Sequence, residues 1–355
     1  MRARASLALL AAVLTAAPAY AQSLSDPGWA HFLHPDRQAG EAYLRDGLRV
    51  LVMAIERDDP ELGDPPRYVH LEQALLRFDH ARASLGDDPE LLFLIATALT
   101  IWERGAADGG TEHRSDEAIT AWEELRRAAP EFLPGVVSSQ LATLYVRRHE
   151  LARARAEYEA ALERGDERPL MDADRTYPAT RAEHILLALY STRDVDHLCR
   201  NLAEVLMLLG ELDASIERYR EALRLADEPI GRALARWGLA LALERHGQSE
   251  ASRHVAVDAI LDDPIAPDPR LAELSRQHGP LAVLHLDHVF FEPTYEIHAY
   301  EAVGHEALAT MIGRDQAQER RNALRSWRLF LAEGGTSSPY AEVARRHVEA
   351  LEQDP

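Results

Sequence analysis

Residues 201–227 read NLAEVLMLLGELDASIERYREALRLAD, two apolar helical faces joined at Gly210 with nothing catalytic between them. Ala203 and Leu206 recur at helical spacing before the glycine, and Tyr219, Ala222 and Leu223 recur after it. The same offsets return elsewhere. Residues 142–162 run Ala142, Tyr145, His149, Ala154, Tyr158, Ala161 and Leu162, with His149 where Gly210 stands. Residues 240–264 give Ala240, Leu243, Gly247, Ala256, Ala259 and Ile260 and close on Pro264. Ala96 and Leu99 open another copy, completed by Ala118, Trp122, Leu125 and Pro130. Ala74, Phe78 and Ala81 precede Asp88-Pro89, and Ala323, Trp327, Phe330 and Leu331 stand near the end. A segment that recurs in this way is one unit of an array, because a single hairpin cannot bury its apolar face alone.

The alternation of small residue, large residue, turn, small, aromatic, small resembles the tetratricopeptide repeat family over most of residues 37–334. Ala203 and Ala240 are 37 positions apart, close to that family's period of about 34. Ala142 and Ala203 are 61 apart, so an additional element intervenes. The resemblance implies an all-α, tetratricopeptide-like solenoid of about six helical hairpins with a C-terminal capping helix. It also implies a superhelix whose concave face is lined by the first helix of each hairpin.

On this reading the chain divides into a leader at 1–21, a linker at 22–36 and helical repeats over 37–264. A loop and helix are inserted in the repeats at 165–193. A connecting segment follows at 265–292, then a terminal hairpin and cap over 293–355. The connecting segment opens on DPIAPDP (263–269), and Ser338-Pro339 suits the start of the last helix, with proline at its first position. Gly-rich 105–114 and proline-bounded 165–178 read as loops. Long loops in compact proteins are usually functional or disordered.

The leader shows Arg2 and Arg4, an apolar run from Leu7 to Ala17, and Ala19-Tyr20-Ala21 before Gln22. These are the three parts of a cleavable export signal. This run of eleven residues, ten of them apolar, falls short of the roughly 20 that span a bilayer. The expected product is periplasmic or secreted, with no lipid-attachment cysteine and no membrane insertion. The net charge of −20 makes an acidic surface that repels nucleic acid. The basic side chains other than histidine are all arginine. Cys199 is the one cysteine, which excludes an internal disulfide and reads as a buried small hydrophobe.

No residue pattern calls for catalysis or a cofactor. Gly-x-Ser-x-Gly, His-Glu-x-x-His and a phosphate loop are absent, and adjacent carboxylates such as Glu123-Glu124 read as solvated helix faces. Of the 16 histidines, four stand in 284–308: His285, His288, His298 and His305. His285 and His288, in what reads as an extended stretch, point to opposite faces. His298 and His305 share a helical face about 10 Å apart, too far to hold one ion. They read as scattered surface or core histidines.

The first-helix face is the better candidate. Registering each hairpin by its small residue turns Thr143, Arg147, Arg200, Glu204, Met207, Trp237, Leu241 and Arg245 toward the groove. Such a mixed face suits a peptide segment. The expected function is a non-enzymatic protein-interaction scaffold of the cell envelope, with a protein partner, no cofactor and no metal. The other reading is a solute-, glycan- or metal-binding helical protein that uses 278–305.

Overall fold

The computed structural model describes residues 35–56, 67–106, 113–164, 195–286, 289–334 and 338–353. The leader at 1–21, most of the 105–114 loop, the 165–193 insertion, Asp287 and His288 lie outside the described residues.

The described chain is all-α and falls into two units, Met1–Leu91 and Leu92–Pro355. In the first unit, α1 (Pro35–Glu56) pairs with α2 (Arg67–Leu85). Small residues permit the approach: a Cβ on Gly47 would stand 2.6 Å from the Phe78 ring, and one on Gly40 would meet Leu85 at 2.9 Å. Ala74, Phe78 and Ala81 are buried, as their spacing implies. Gly86, at φ +69°, closes α2 and returns its N–H to the Arg82 carbonyl at 2.8 Å.

The second unit carries α3 from Leu92 onward (Pro89–Ala106) and α4 (Ser115–Ala128), then α5 (Pro134–Arg147) and α6 (Leu151–Arg164). These are followed by α7 (Val195–Leu208), α8 (Leu212–Leu225), α9 (Pro229–Arg245) and α10 (Ser249–Leu261). A 3-10 turn (Pro269–Leu271), the short α11 (Ala272–His278) and a second 3-10 turn (Gly279–His285) come next. The unit ends with α12 (Glu296–Leu308), α13 (Gln316–Gly334) and α14 (Ala341–Gln353). The pairs α5/α6, α7/α8, α9/α10 and α12/α13 are hairpins, α14 packs on α13, and the first helices α7, α9 and α12 neighbour one another.

Within and between hairpins, large side chains fit against smaller ones. Trp122 donates its indole N–H to the Thr100 hydroxyl at 2.8 Å. The Tyr158 and Thr143 hydroxyls lie 3.1 Å apart, tying α6 to α5. Tyr219 lies against Gly238 of the next hairpin, where a Cβ would collide with its ring. The repeat register places Ala203 opposite Ala222. The structure instead puts Ser215 there, its hydroxyl donating to the Ala203 carbonyl at 2.7 Å, while Ala222 packs with Cys199 and Ala235. Cys199 is buried, and burial pushes its thiol up to about 11.

Three hairpin turns repeat one geometry. Gly210, Gly247 and His149 have φ of +81°, +83° and +61°. The residue after each donates back to the carbonyl five positions earlier: Glu211 to Leu206 at 2.9 Å, Gln248 to Leu243 at 2.9 Å and Glu150 to Tyr145 at 2.8 Å. This left-handed helix ending favours glycine. His149 adopts it despite its Cβ.

Candidate functional site

The eight side chains assigned to the first-helix face do not share one environment. Thr143 is buried and engaged with Tyr158. Arg147, the last residue of α5, is half-buried, donates to the Glu103 carbonyl at 3.0 Å, and lies over the Phe290 ring at 4.9 Å. Arg200 bridges α7 to the start of α9, donating to the Gly231 carbonyl at 3.2 Å with Asp196 at 3.9 Å on its own helix.

The other five are occupied by the chain itself. Glu204 is a half-buried residue whose carboxylate turns inward to accept from the Tyr219 and Tyr300 hydroxyls, the latter at 2.5 Å. Burial raises its pKa, and the two hydroxyls pull the other way. Met207 is buried, and its carbonyl accepts from the Tyr340 hydroxyl. Trp237 is 1% exposed and meets α12 at Gly304, where a Cβ would stand 3.1 Å from the indole. Leu241 lies in the same core. Arg245 is ion-paired with Glu296 of α12 and stacks on the Tyr340 ring at 4.0 Å.

These placements correct the picture of one open groove. The face of α7 and α9 is then covered by the 3-10 turn 279–285, by α12 and by Tyr340. Four polar groups meet there: the Tyr300 hydroxyl donates to Glu204 and Arg245 pairs through Nη2 with Glu296, while Arg245 Nη1 is buried without a hydrogen-bond partner.

Between the second 3-10 turn and α12 runs a strap, residues 289–295. Phe291 points inward, its ring 5.1 Å from Tyr300. Tyr295 packs edge-on against Phe330 at 5.5 Å and lies on Gly334. Phe290 points outward, 44% exposed, beneath Arg147. Burial raises the pKa of Glu292, with His149 and Arg147 partly offsetting it. The strap therefore places an aromatic ring and a carboxyl at the end of α5.

The histidines are less scattered than their spacing implies. Residues 279–285 form a 3-10 turn rather than an extended stretch. His285 and His298 thereby meet one carboxylate, Glu301, at 3.3 and 3.2 Å, while the other nitrogen of His298 faces Glu333 at 3.3 Å. Burial disfavours the charged form of Glu301, yet the two imidazoles hold it down at about 2. His347 of α14 sits between Glu244 at 3.0 Å and Glu306 at 2.8 Å and stacks on Trp327 at 4.7 Å. Burial lowers its pKa, but the two carboxylates outweigh that and raise it to about 9. Among the described residues no group of histidine, cysteine and carboxylate side chains has the geometry to hold a metal ion. No described helix is long and apolar enough to cross a membrane.

No protein-family model matches the chain, and no curated protein matches it. A solved structure, the TPR domain of P58(IPK), matches at 13% identity over 88% of this chain and 97% of that one, with a TM-score of 0.25. A superposition at that score does not establish a shared fold. The helical array rests on the hairpins and turns described above, and they make the described residues an all-α array of helical hairpins.

Proposed function

We propose that the protein is an exported, non-enzymatic scaffold that binds a protein or peptide segment on the first-helix face of its hairpin array, within a cell-envelope assembly. The observation that carries this reading is the end of α5, where the Arg147 guanidinium lies over an exposed phenylalanine. Arginine and aromatic side chains are the residues that dominate protein interfaces. Arg147 stands in a chain whose net charge is −20. Export rests on the leader sequence.

Affinity capture with the mature chain, from periplasmic and secreted fractions, tests the reading. The wild type should retain a partner that the variant Arg147→Ala releases, while both melt within a few degrees of each other. Retention by the folded variant would move the interaction to another surface. The secreted chain should begin at Gln22, and an intact Met1 on the exported product would remove the export signal from the proposal.

A further inference from the structure

The strap shows what chemistry the end of α5 accepts. Phe290 supplies a flat ring to the Arg147 guanidinium, and Glu292, two positions on, brings a carboxyl within the field of Arg147 and His149. The neighbours of these residues are fixed differently. Phe291 packs on Tyr300, and Tyr295 packs on Phe330 and Gly334. Phe290 is 44% exposed, and a cation–π contact at an exposed site shifts an equilibrium only about two- to five-fold.

We propose that residues 289–292 are an intramolecular stand-in for a partner. The face at Arg147 takes a protein segment presenting an aromatic side chain and a carboxylate two positions later, and that segment displaces Phe290 and Glu292. This deepens the scaffold reading and rests on it. An acidic chain that keeps an arginine at this point offers a cation to an incoming carboxylate, and the guanidinium can serve ring and carboxylate together. The strap competes at the high effective concentration of a tethered segment, on the order of millimolar. The wild type therefore binds a partner more weakly than its contacts alone would give, and loosening the strap strengthens binding.

The test uses a fluorescein-labelled peptide with the sequence of residues 286–296, LDHVFFEPTYE, titrated into the mature chain and followed by anisotropy. Phe290→Ala with Glu292→Gln in the protein should bind the peptide at least ten-fold more tightly than wild type does. Adding Arg147→Ala should remove at least ten-fold of that affinity. So should replacing the first phenylalanine of the peptide by alanine. If Arg147→Ala lowers the melting temperature, Arg147→Lys replaces it: the charge stays, the flat surface is lost, and affinity should still fall several-fold. Equal binding to wild type and to the loosened strap would overturn the proposal. So would binding indifferent to Arg147, or no binding to a loosened-strap protein that melts like wild type. Partner capture by wild type alongside failed peptide binding would refute the strap and leave the scaffold. Peptide binding that depends on Arg147, without any captured partner, would support the strap and remove the envelope assembly.

Discussion

Arg147 and Arg245 hold equivalent positions, each the last residue of a first helix, and the structure treats them in opposite ways. Arg245 is buried against Glu296 and Tyr340, closed over by the terminal hairpin. Arg147 is half-buried at the end of α5, with an exposed ring beneath it. What differs is the chain that arrives afterwards: α12 and Tyr340 seal α7 and α9, while a strap of a few residues reaches α5. Position within a repeat therefore leaves open whether solvent, a partner or the chain itself meets a side chain.

The sharpest way to break this contrast is to remove each arginine in turn. Arg245→Ala leaves Glu296 buried without its partner and should cost about 3–5 kcal/mol of stability in urea melts. Arg147→Ala should cost about 1 kcal/mol, the net worth of one hydrogen bond to the Glu103 carbonyl. Equal losses would mean that the two ends are closed alike.

His347 sharpens the same contrast from the capping side. Its folded pKa of about 9 lies above the ordinary value of 6.5, so its contribution is complete below about pH 6.5 and is lost as pH rises through 9. The difference corresponds to a few kcal/mol at most, about 1.4 per unit before screening. Wild type should lose stability between pH 6.5 and 9, whereas His347→Gln should be less stable at pH 6.5 and nearly flat across that range. Parallel pH profiles for the two proteins would contradict the ion pairs to Glu244 and Glu306. Glu301 behaves oppositely. With a folded pKa of about 2, its contribution is present above the usual 4.5 and disappears as pH falls toward 2.

Within a hairpin the effects should be smaller. Ala222→Leu overpacks the contact with Cys199 and Ala235 and should cost roughly 1–3 kcal/mol. Arg218→Leu, a half-buried residue paired with Glu221 of its own helix, should stay within about 0.5 kcal/mol of wild type. Similar denaturation midpoints would displace the register. At the turns, His149→Gly should stabilise the protein by up to about 1 kcal/mol, because glycine adopts φ +61° without the Cβ clash. Gly210→Ala and Gly247→Ala should destabilise by a comparable amount. A destabilising His149→Gly would show that the imidazole contributes more than the turn strain costs.

These local features were legible because they depend on neighbours in sequence. The alignment of His149 with Gly210 and Gly247 already marked three equivalent turns, and the small–large alternation marked the hairpins. Ser215 was missed as the residue opposite Ala203, because its hydroxyl is satisfied by the Ala203 carbonyl and a pattern of alanines does not reveal that. The cover over α7 and α9 was not legible at all. The Glu204–Tyr300 contact spans 96 residues and the Met207–Tyr340 contact 133, and nothing in either helix specifies its distant partner. Likewise, the meeting of His285 and His298 on Glu301 depends on the 3-10 turn at 279–285. Spacing counted along a straight strand or helix points those imidazoles apart.

Hydroxyl-radical footprinting of the mature chain tests the closure of α7 and α9 directly, because it reads side-chain exposure at each of these positions in one experiment. Met207 and Trp237, intrinsically among the most reactive side chains, should be protected until the protein unfolds, while Phe290 should be oxidised in the native state. Rapid native-state oxidation of Met207 and Trp237, at rates approaching those in urea, would show the face of α7 and α9 open to solvent and contradict its closure by the terminal hairpin.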